Sequence, residues 1–263
     1  MNPNPCIQAD LRDKVILITG ASQGLGAYYA ELLAKNHATV IVSGRSDDKI
    51  NQVVERIKSN GGQAFPLNLN MNDYHTFESK VDEIMREFHH IDVLINNAAV
   101  SQDNNIFDIT ELIWDNLMGT NLKGLFFLSQ SVAKKMRTQS NGGNIINIAA
   151  INGEQVRKNN IVFGTSKAAV IHLTKSMAYD LIDSNIRVNA LSIGLFPSDS
   201  VKDYIANDPR AKDYIAQIPA KRAGKLTELD GPILLLASDA SSYMTGSVLK
   251  VDGGFAINVF MNS

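Results

Sequence analysis

The chain has 263 residues, 44% of them hydrophobic and 20% charged, with a formal net charge of −2. That size and balance fit one large globular domain that needs no disulfide or metal to hold it together, and the near-neutral charge offers no basic face for nucleic acid or an anionic membrane. The single cysteine, Cys6, excludes an internal disulfide, and no apolar run reaches the ~18 residues of a membrane span. Residues 1–10 lack the basic and apolar regions of a secretory signal. The expectation is a cytoplasmic protein with no metal site, opening with a flexible N-terminal segment over 1–13.

The predicted elements alternate along the chain. Val15-Ile16-Leu17-Ile18 reads as a first strand, followed by a helix over 25–35. Thr39-Val40-Ile41-Val42 is the second strand, with a helix over 47–60 after it. A weaker run over 64–67 contains Pro66, which suits an edge strand. A helix over 73–88 precedes the strand Val93-Leu94-Ile95, and one long helix is expected over 110–138. After the strand Ile145-Ile146-Asn147-Ile148, the residues Ala169, Leu173, Met177 and Leu181 recur every fourth position, with Val170 and Thr174 beside them, marking one helix face. Arg187-Val188-Asn189-Ala190, a helix over 226–238 and Val248-Leu249-Lys250-Val251 complete the series.

The strand runs are short and mostly continuous, as in strands buried on both faces. Their alternation with helices predicts α/β architecture: one doubly wound parallel sheet of about seven strands, helices on both faces, right-handed crossovers. The stretch 195–222 breaks the rhythm with Pro197, Pro209, Pro219 and mixed charges, and reads as a lid over a ligand. Its Tyr204, Ile205, Tyr214 and Ile215, beside Lys202 and Lys212, suit a medium-sized apolar or mixed molecule.

Directly after the first strand comes Thr19-Gly20-Ala21-Ser22-Gln23-Gly24-Leu25-Gly26, opening into a helix. Glycines there permit a tight turn and bring backbone N–H groups and the helix N-terminus to a pyrophosphate. A glycine triplet between a strand and a helix near the N-terminus is a strong dinucleotide signal, here with Gly-x-x-x-Gly-x-Gly spacing. Asn96-Asn97-Ala98-Ala99 follows the fourth strand, and Asn121-Leu122-Lys123-Gly124 lies in the long helix. Ala237-Ser238-Asp239 leads to Thr245-Gly246 and Val251-Asp252-Gly253-Gly254. On these residues the chain resembles the short-chain dehydrogenases/reductases (SDRs) over 14–255. The resemblance implies a Rossmann-type fold, a nicotinamide cofactor, and oxidation or reduction of a secondary alcohol or ketone.

At the end of the second strand, NAD-preferring relatives place an Asp; here Gly44 stands there and Arg45 follows. A guanidinium pairs with a 2′-phosphate, so NADP(H) is expected over NAD(H). The resemblance implies a cofactor site from Gly20, Ser22, Gln23, Gly24, Leu25 and Gly26, from Arg45, Asn68 and Leu69, and from Asn96, Ala98, Ile148, Lys167 and Gly194.

SDR chemistry, as the resemblance implies it, uses four side chains. A Tyr hydroxyl exchanges the proton, a Lys lowers the Tyr pKa from its usual ~10, a Ser polarises the carbonyl, and an Asn supports a proton relay through water. Asn121 and Lys167 fit their positions, but the Tyr position is Phe163 and the Ser position is Ala150. Neither replacement donates or accepts a proton. Thr165 and Ser166 point away from the Phe163 face, which leaves Asn152, Glu154, Lys158 and Ser192 as candidate substitutes. Ile193-Gly194 replaces the family's Pro-Gly, a change expected to loosen that turn.

The leading reading is an NADP(H)-binding oxidoreductase of a ketone or secondary alcohol with an impaired or atypical proton-donor site. Gly194-Leu195-Phe196-Pro197-Ser198 resembles the corresponding loop of ketoacyl and sugar-acid reductases. The alternatives are a non-redox isomerase, cyclase or dehydratase on the same scaffold, and an inactive NADP(H)-binding regulator. A further alternative is an engineered chain, since Ser→Ala and Tyr→Phe are the near-isosteric changes used to trap a substrate. The resemblance also implies a homotetramer, or a dimer, packed through the 110–138 helix, where Leu125, Phe126, Phe127 and Leu128 are apolar on more than one side.

Overall fold

The structure, a computed structural model, describes residues 9–198 and 201–257. Its elements run β1 (Val15–Ile18), α1 (Gly24–Lys35), β2 (Thr39–Gly44), α2 (Asp47–Ser59), β3 (Gln63–Asn68), α3 (Phe77–Phe88), β4 (Val93–Asn96), α4 (Glu111–Met118), α5 (Leu125–Met136) and β5 (Gly143–Ala150). They continue through α6 (Ile161–Leu181), β6 (Ile186–Ile193), α7 (Lys202–Asn207), α8 (Pro209–Gln217), α9 (Asp230–Ala237) and β7 (Val248–Val251).

All the strand pairs are parallel, in the order β3-β2-β1-β4-β5-β6-β7. The sequence expectation of a seven-stranded Rossmann-type sheet is met. β1 and β4 are buried at every residue, because helices cover both faces. On one face α1, α2 and α9 pack Leu33, Val54 and Leu234 against Ile16, Val40 and Ile146. On the other, α3, α5 and α6 bring Val81, Leu128 and Met177 against Leu17, Leu94 and Ile145. β3 and β7 are the two edge strands, and the single neighbour of β3 makes Pro66 tolerable there.

The strand order reverses between β1 and β4, the switch point that opens a crevice at the carboxyl ends of a doubly wound sheet. Among the described residues no helix is long and apolar enough to cross a membrane.

One sequence expectation changes. Residues 110–138 are not one helix, since a π-helical turn, Gly119–Gly124, separates α4 from α5. The chain after β3 passes so close to this turn that a Cβ on Gly124 would lie 2.2 Å from the Met71 carbonyl oxygen. The segment 195–222 carries α7 and α8, the latter started by Pro209 with Asp208 as its cap. Near the start of the described residues Leu11 is fully buried, and the Ala9 N–H donates to the Asn36 side chain at 3.1 Å. Residues 1–8, with Cys6, lie outside the described residues.

Candidate active site

The cradle begins where β1 stops. Thr19 Oγ1 accepts hydrogen bonds from the backbone N–H groups of Asn97 and Ala98, both at 3.0 Å, and the Asn97 amide donates to the carbonyls of Thr19 and Gly20 at 3.0 and 3.1 Å. These bonds tie the end of β1 to the end of β4 across the switch point. Gly20 has φ +63°, and a Cβ there would lie 2.8 Å from the Ala98 Cα. A Cβ on Gly26 would lie 2.4 Å from the Gly20 carbonyl oxygen, so α1 packs against the turn only because this residue lacks one. Gln23, which precedes α1, makes no side-chain capping bond, and Gly24 is partly exposed at the helix start. Gln23 thus contributes no side-chain cap to the start of α1, the end of a helix that favours an anion.

Ser22 lies against Gly44, where a Cβ would come within 3.1 Å of the Ser22 hydroxyl. Arg45 is exposed beyond it, and the Asn68 amide reaches across to Asp47 Oδ1 at 2.7 Å. Gln23 joins this rim through a bond from Lys49 at 3.1 Å. Gly20, Ser22, Gln23, Gly24, Arg45 and Asn68 thus line one continuous edge, and partly buried Leu25 packs on the core below it.

Two predicted cofactor residues turn their side chains elsewhere. Leu69 is buried, and its N–H donates to the Gly44 carbonyl at 2.7 Å. Asn96 is buried beneath the sheet, donating to Ser129 at 2.8 Å and to Asn147 at 2.9 Å. Asn147 in turn donates to Thr174 at 3.0 Å. This chain of buried polar groups fastens β4 and β5 to α5 and α6. Sequence reading missed it because its members are 27 to 51 residues apart.

Lys167 and Asn121 are brought together from α6 and the π-helical turn. Lys167 is 4% exposed, and its Nζ donates to the Ile148 carbonyl at 2.7 Å. Burial pushes its ammonium down to about 8. Asn121 is fully buried; its amide donates to the Val100 carbonyl at 2.9 Å and to Ser166 at 3.1 Å, and its Oδ1 accepts from the Val100 N–H at 2.8 Å. Ala150 closes β5, and Phe163 stands in the first turn of α6 with its ring centroid 5.7 Å from Lys167 Nζ.

The candidate substitutes for the missing hydroxyls are mostly committed. Ser192 is fully buried within β6 and its hydroxyl has no partner, so it does not open to a ligand. Ser166 Oγ donates to the Phe163 carbonyl at 2.7 Å. Glu154 forms an ion pair with Lys250, and the Asn152 amide donates to Asn160 at 3.1 Å; Lys158 is exposed. In the turn at Ile193-Gly194, the Gly194 N–H donates to the Val251 carbonyl at 2.9 Å.

The sheet order and the cradle at its switch point make this a Rossmann-type α/β protein. A family model described as enoyl-(acyl carrier protein) reductase matches residues 20–256. The 3-oxoacyl-(acyl-carrier-protein) reductase of Thermotoga maritima is 36% identical over 94% of this chain and 99% of its own length. The 2-dehydro-3-deoxy-D-gluconate 5-dehydrogenase of Dickeya dadantii is 33% identical over 94% and 96%. The crystal structure of a gluconate 5-dehydrogenase from Burkholderia cenocepacia in complex with NADP and tartrate superposes with a TM-score of 0.89 at 30% identity, covering 97% of this chain and 98% of that one. The chain belongs to the short-chain dehydrogenase/reductase family.

Proposed function

We propose that this protein binds NADP(H) and is an oxidoreductase of a ketone or secondary alcohol whose proton-transfer step is crippled. One observation carries this reading: the Lys167 ammonium faces the ring of Phe163, and no hydroxyl stands between them. The relatives named above, one of them solved with NADP, support the cofactor and the broad reaction.

The residues present fit the dinucleotide. The cradle is closed to any Cβ at Gly20 and Gly26, the Gln23 side chain does not cap α1, and Arg45 is exposed at the rim. Gly24 and its neighbours would hold the pyrophosphate, Arg45 the 2′-phosphate, and Lys167 the ribose next to the nicotinamide. When bound, NADPH supplies the hydride. The chain's own residues must orient the carbonyl and provide a proton to its oxygen. Ala150 offers the oxygen no hydrogen bond and Phe163 offers it no proton. Lys167 is the one charged group among the buried described residues, and it holds its proton on the Ile148 carbonyl.

Losing a general acid costs roughly 10²–10⁴ in rate, while the dinucleotide contacts are left intact. The reading therefore separates binding from turnover. Titration of NADPH by fluorescence, followed by a ketone panel, tests both halves. Product formed without loss of NADPH would favour a non-redox catalyst instead.

The same proposal includes self-association and a lid. A groove of about 650 Å³ beside α5 is lined by Tyr74, Met118, Leu122, Phe126, Phe127 and Leu173, with Leu112 and Trp114 of α4 exposed. An apolar face of this kind suits a second copy in a dimer or tetramer. In the 195–222 segment, Phe196 and Ser198 are buried, and a Cβ on Gly24 would lie 3.9 Å from the Ser198 Cβ. This proximity supports a lid rooted beside the cradle.

A further inference from the structure

The rim where β2 ends carries four charged side chains within five residues: Arg45, Asp47, Asp48 and Lys49, all exposed. Asp47 opens α2, and Lys49 lies in its first turn. A mixed run of this kind is ordinarily a solvated surface whose charges meet each other or water. Here two neutral amides sort them. The Asp47 carboxylate accepts from the Asn68 amide at 2.7 Å, and the Lys49 ammonium donates to Gln23 Oε1 at 3.1 Å.

The sheet order gives this sorting a direction. β2 lies between β3 and β1, and its last residue, Gly44, is in register with Asn68 at the end of β3. Gln23 stands on the other side, in the turn between β1 and α1. The carboxylate is therefore tied toward the outer edge of the sheet and the ammonium toward the phosphate cradle. Arg45 leaves β2 between them.

The start of α2 is itself anchored. Ile50 is fully buried, and a Cβ on Gly44 would lie 3.5 Å from its Cγ1 and 3.1 Å from the Ser22 hydroxyl. The ion pairs of α2 lie toward its far end, Arg56 with Glu31 and Lys58 with Glu55. Lys49 is thus held at the cradle by a neutral amide, a weaker partner for an ammonium than a phosphate oxygen. Held there in advance, it loses little freedom when an anion arrives.

We propose that Lys49 is a second cation of the 2′-phosphate site beside Arg45, and that Asn68 makes the site selective by holding the Asp47 carboxylate out of it. This rests on the reading that the chain binds NADP(H). A phosphate monoester carries nearly two negative charges, so a cation beside it adds affinity and a carboxylate beside it removes affinity. The neutral hydroxyl of NADH feels neither charge strongly. Lys49 would touch the phosphate, whereas Asn68 acts through Asp47 and is a positioning residue.

The test titrates the full chain and its variants with NADPH and NADH by fluorescence. Lys49→Met is expected to weaken NADPH about 3- to 10-fold and NADH less than about 2-fold, and Lys49→Arg to keep most of the preference. Asn68→Ala frees Asp47 and is expected to cut the preference for NADPH about 3-fold. Asp47→Asn should restore that preference in the Asn68→Ala background and change it little in the unchanged chain. A packing role for Asn68 would produce no such coupling. Equal losses of both dinucleotides in Lys49→Met, no loss of either, a full preference in Asn68→Ala, or a lowered preference that Asp47→Asn does not restore would each overturn the proposal. Failure of the unchanged chain to prefer NADPH would overturn the cofactor reading and this proposal with it.

Discussion

The Lys167 ammonium and the Phe163 ring share the first turns of α6, with the nitrogen 5.7 Å from the ring centroid. A lysine four residues after an aromatic ring lies on the same helical face, and in the function proposed here this pair is a proton-transfer site without its oxygen. A cation over an apolar ring is weakly attracted to it. It has no phenolate to stabilise.

Lys167 should then be a net burden on the fold at neutral pH. Below about pH 8 the folded chain holds a buried ammonium, whereas the unfolded lysine keeps its proton up to 10.5. Between these values the unfolded state binds more protons, so the penalty is relieved as pH rises. Lys167→Met is expected to raise stability near pH 7 by up to about 3 kcal/mol, less the bond lost to Ile148. Denaturant unfolding of both chains at about pH 7, 9 and 10.5 should show the advantage shrinking; a constant advantage would exclude burial as its cause.

Arg45 should decide between the two nicotinamide dinucleotides. It is exposed at the rim, so its effect comes from pairing with a phosphate and not from packing. Arg45→Glu is expected to weaken NADPH roughly 10- to 100-fold while leaving NADH nearly unchanged. Parallel fluorescence titrations read this directly, and an equal loss for both would place Arg45 outside the 2′-phosphate site.

Thr19 should matter for both stability and binding. Its hydroxyl oxygen accepts two backbone N–H groups at 3.0 Å each, and Thr19 is itself 1% exposed. Thr19→Val leaves both donors unpaired, at about 1–3 kcal/mol each. Thermal melts should show the loss, Thr19→Ser should restore most of it, and NADPH affinity should follow. Unchanged stability in Thr19→Val would mean that water replaces the hydroxyl.

The architecture could be read from the sequence because burial on both faces leaves local marks: the runs at Val15 and Val93 are apolar throughout, and Pro66 marks the edge. The spacing from Ala150 to Phe163 to Lys167 was equally legible, as was the cradle at Gly20 to Gly26. The break in the 110–138 helix was not, although Gly119 and Gly124 stand at its two ends, because the close approach of Met71 is a tertiary event. Thr19 went unnoticed for a similar reason: it looks like an ordinary strand terminus, and its partners lie 78 and 79 residues away. Lys49 and Gln23 are 26 residues apart, and nothing local couples them. Asn96 fits the family pattern by position, yet its side chain serves the packing of α5 and α6.

The most direct test of the central claim restores the two missing hydroxyls. The chain as it stands and the Ala150→Ser, Phe163→Tyr double variant are compared for NADPH affinity and for NADPH oxidation with a panel of ketones and keto acids. The account predicts similar NADPH affinity in both chains, and oxidation in the double variant faster by about 10²–10⁴. Equal turnover in the two chains would contradict it, placing the working acid at a residue other than positions 150 and 163.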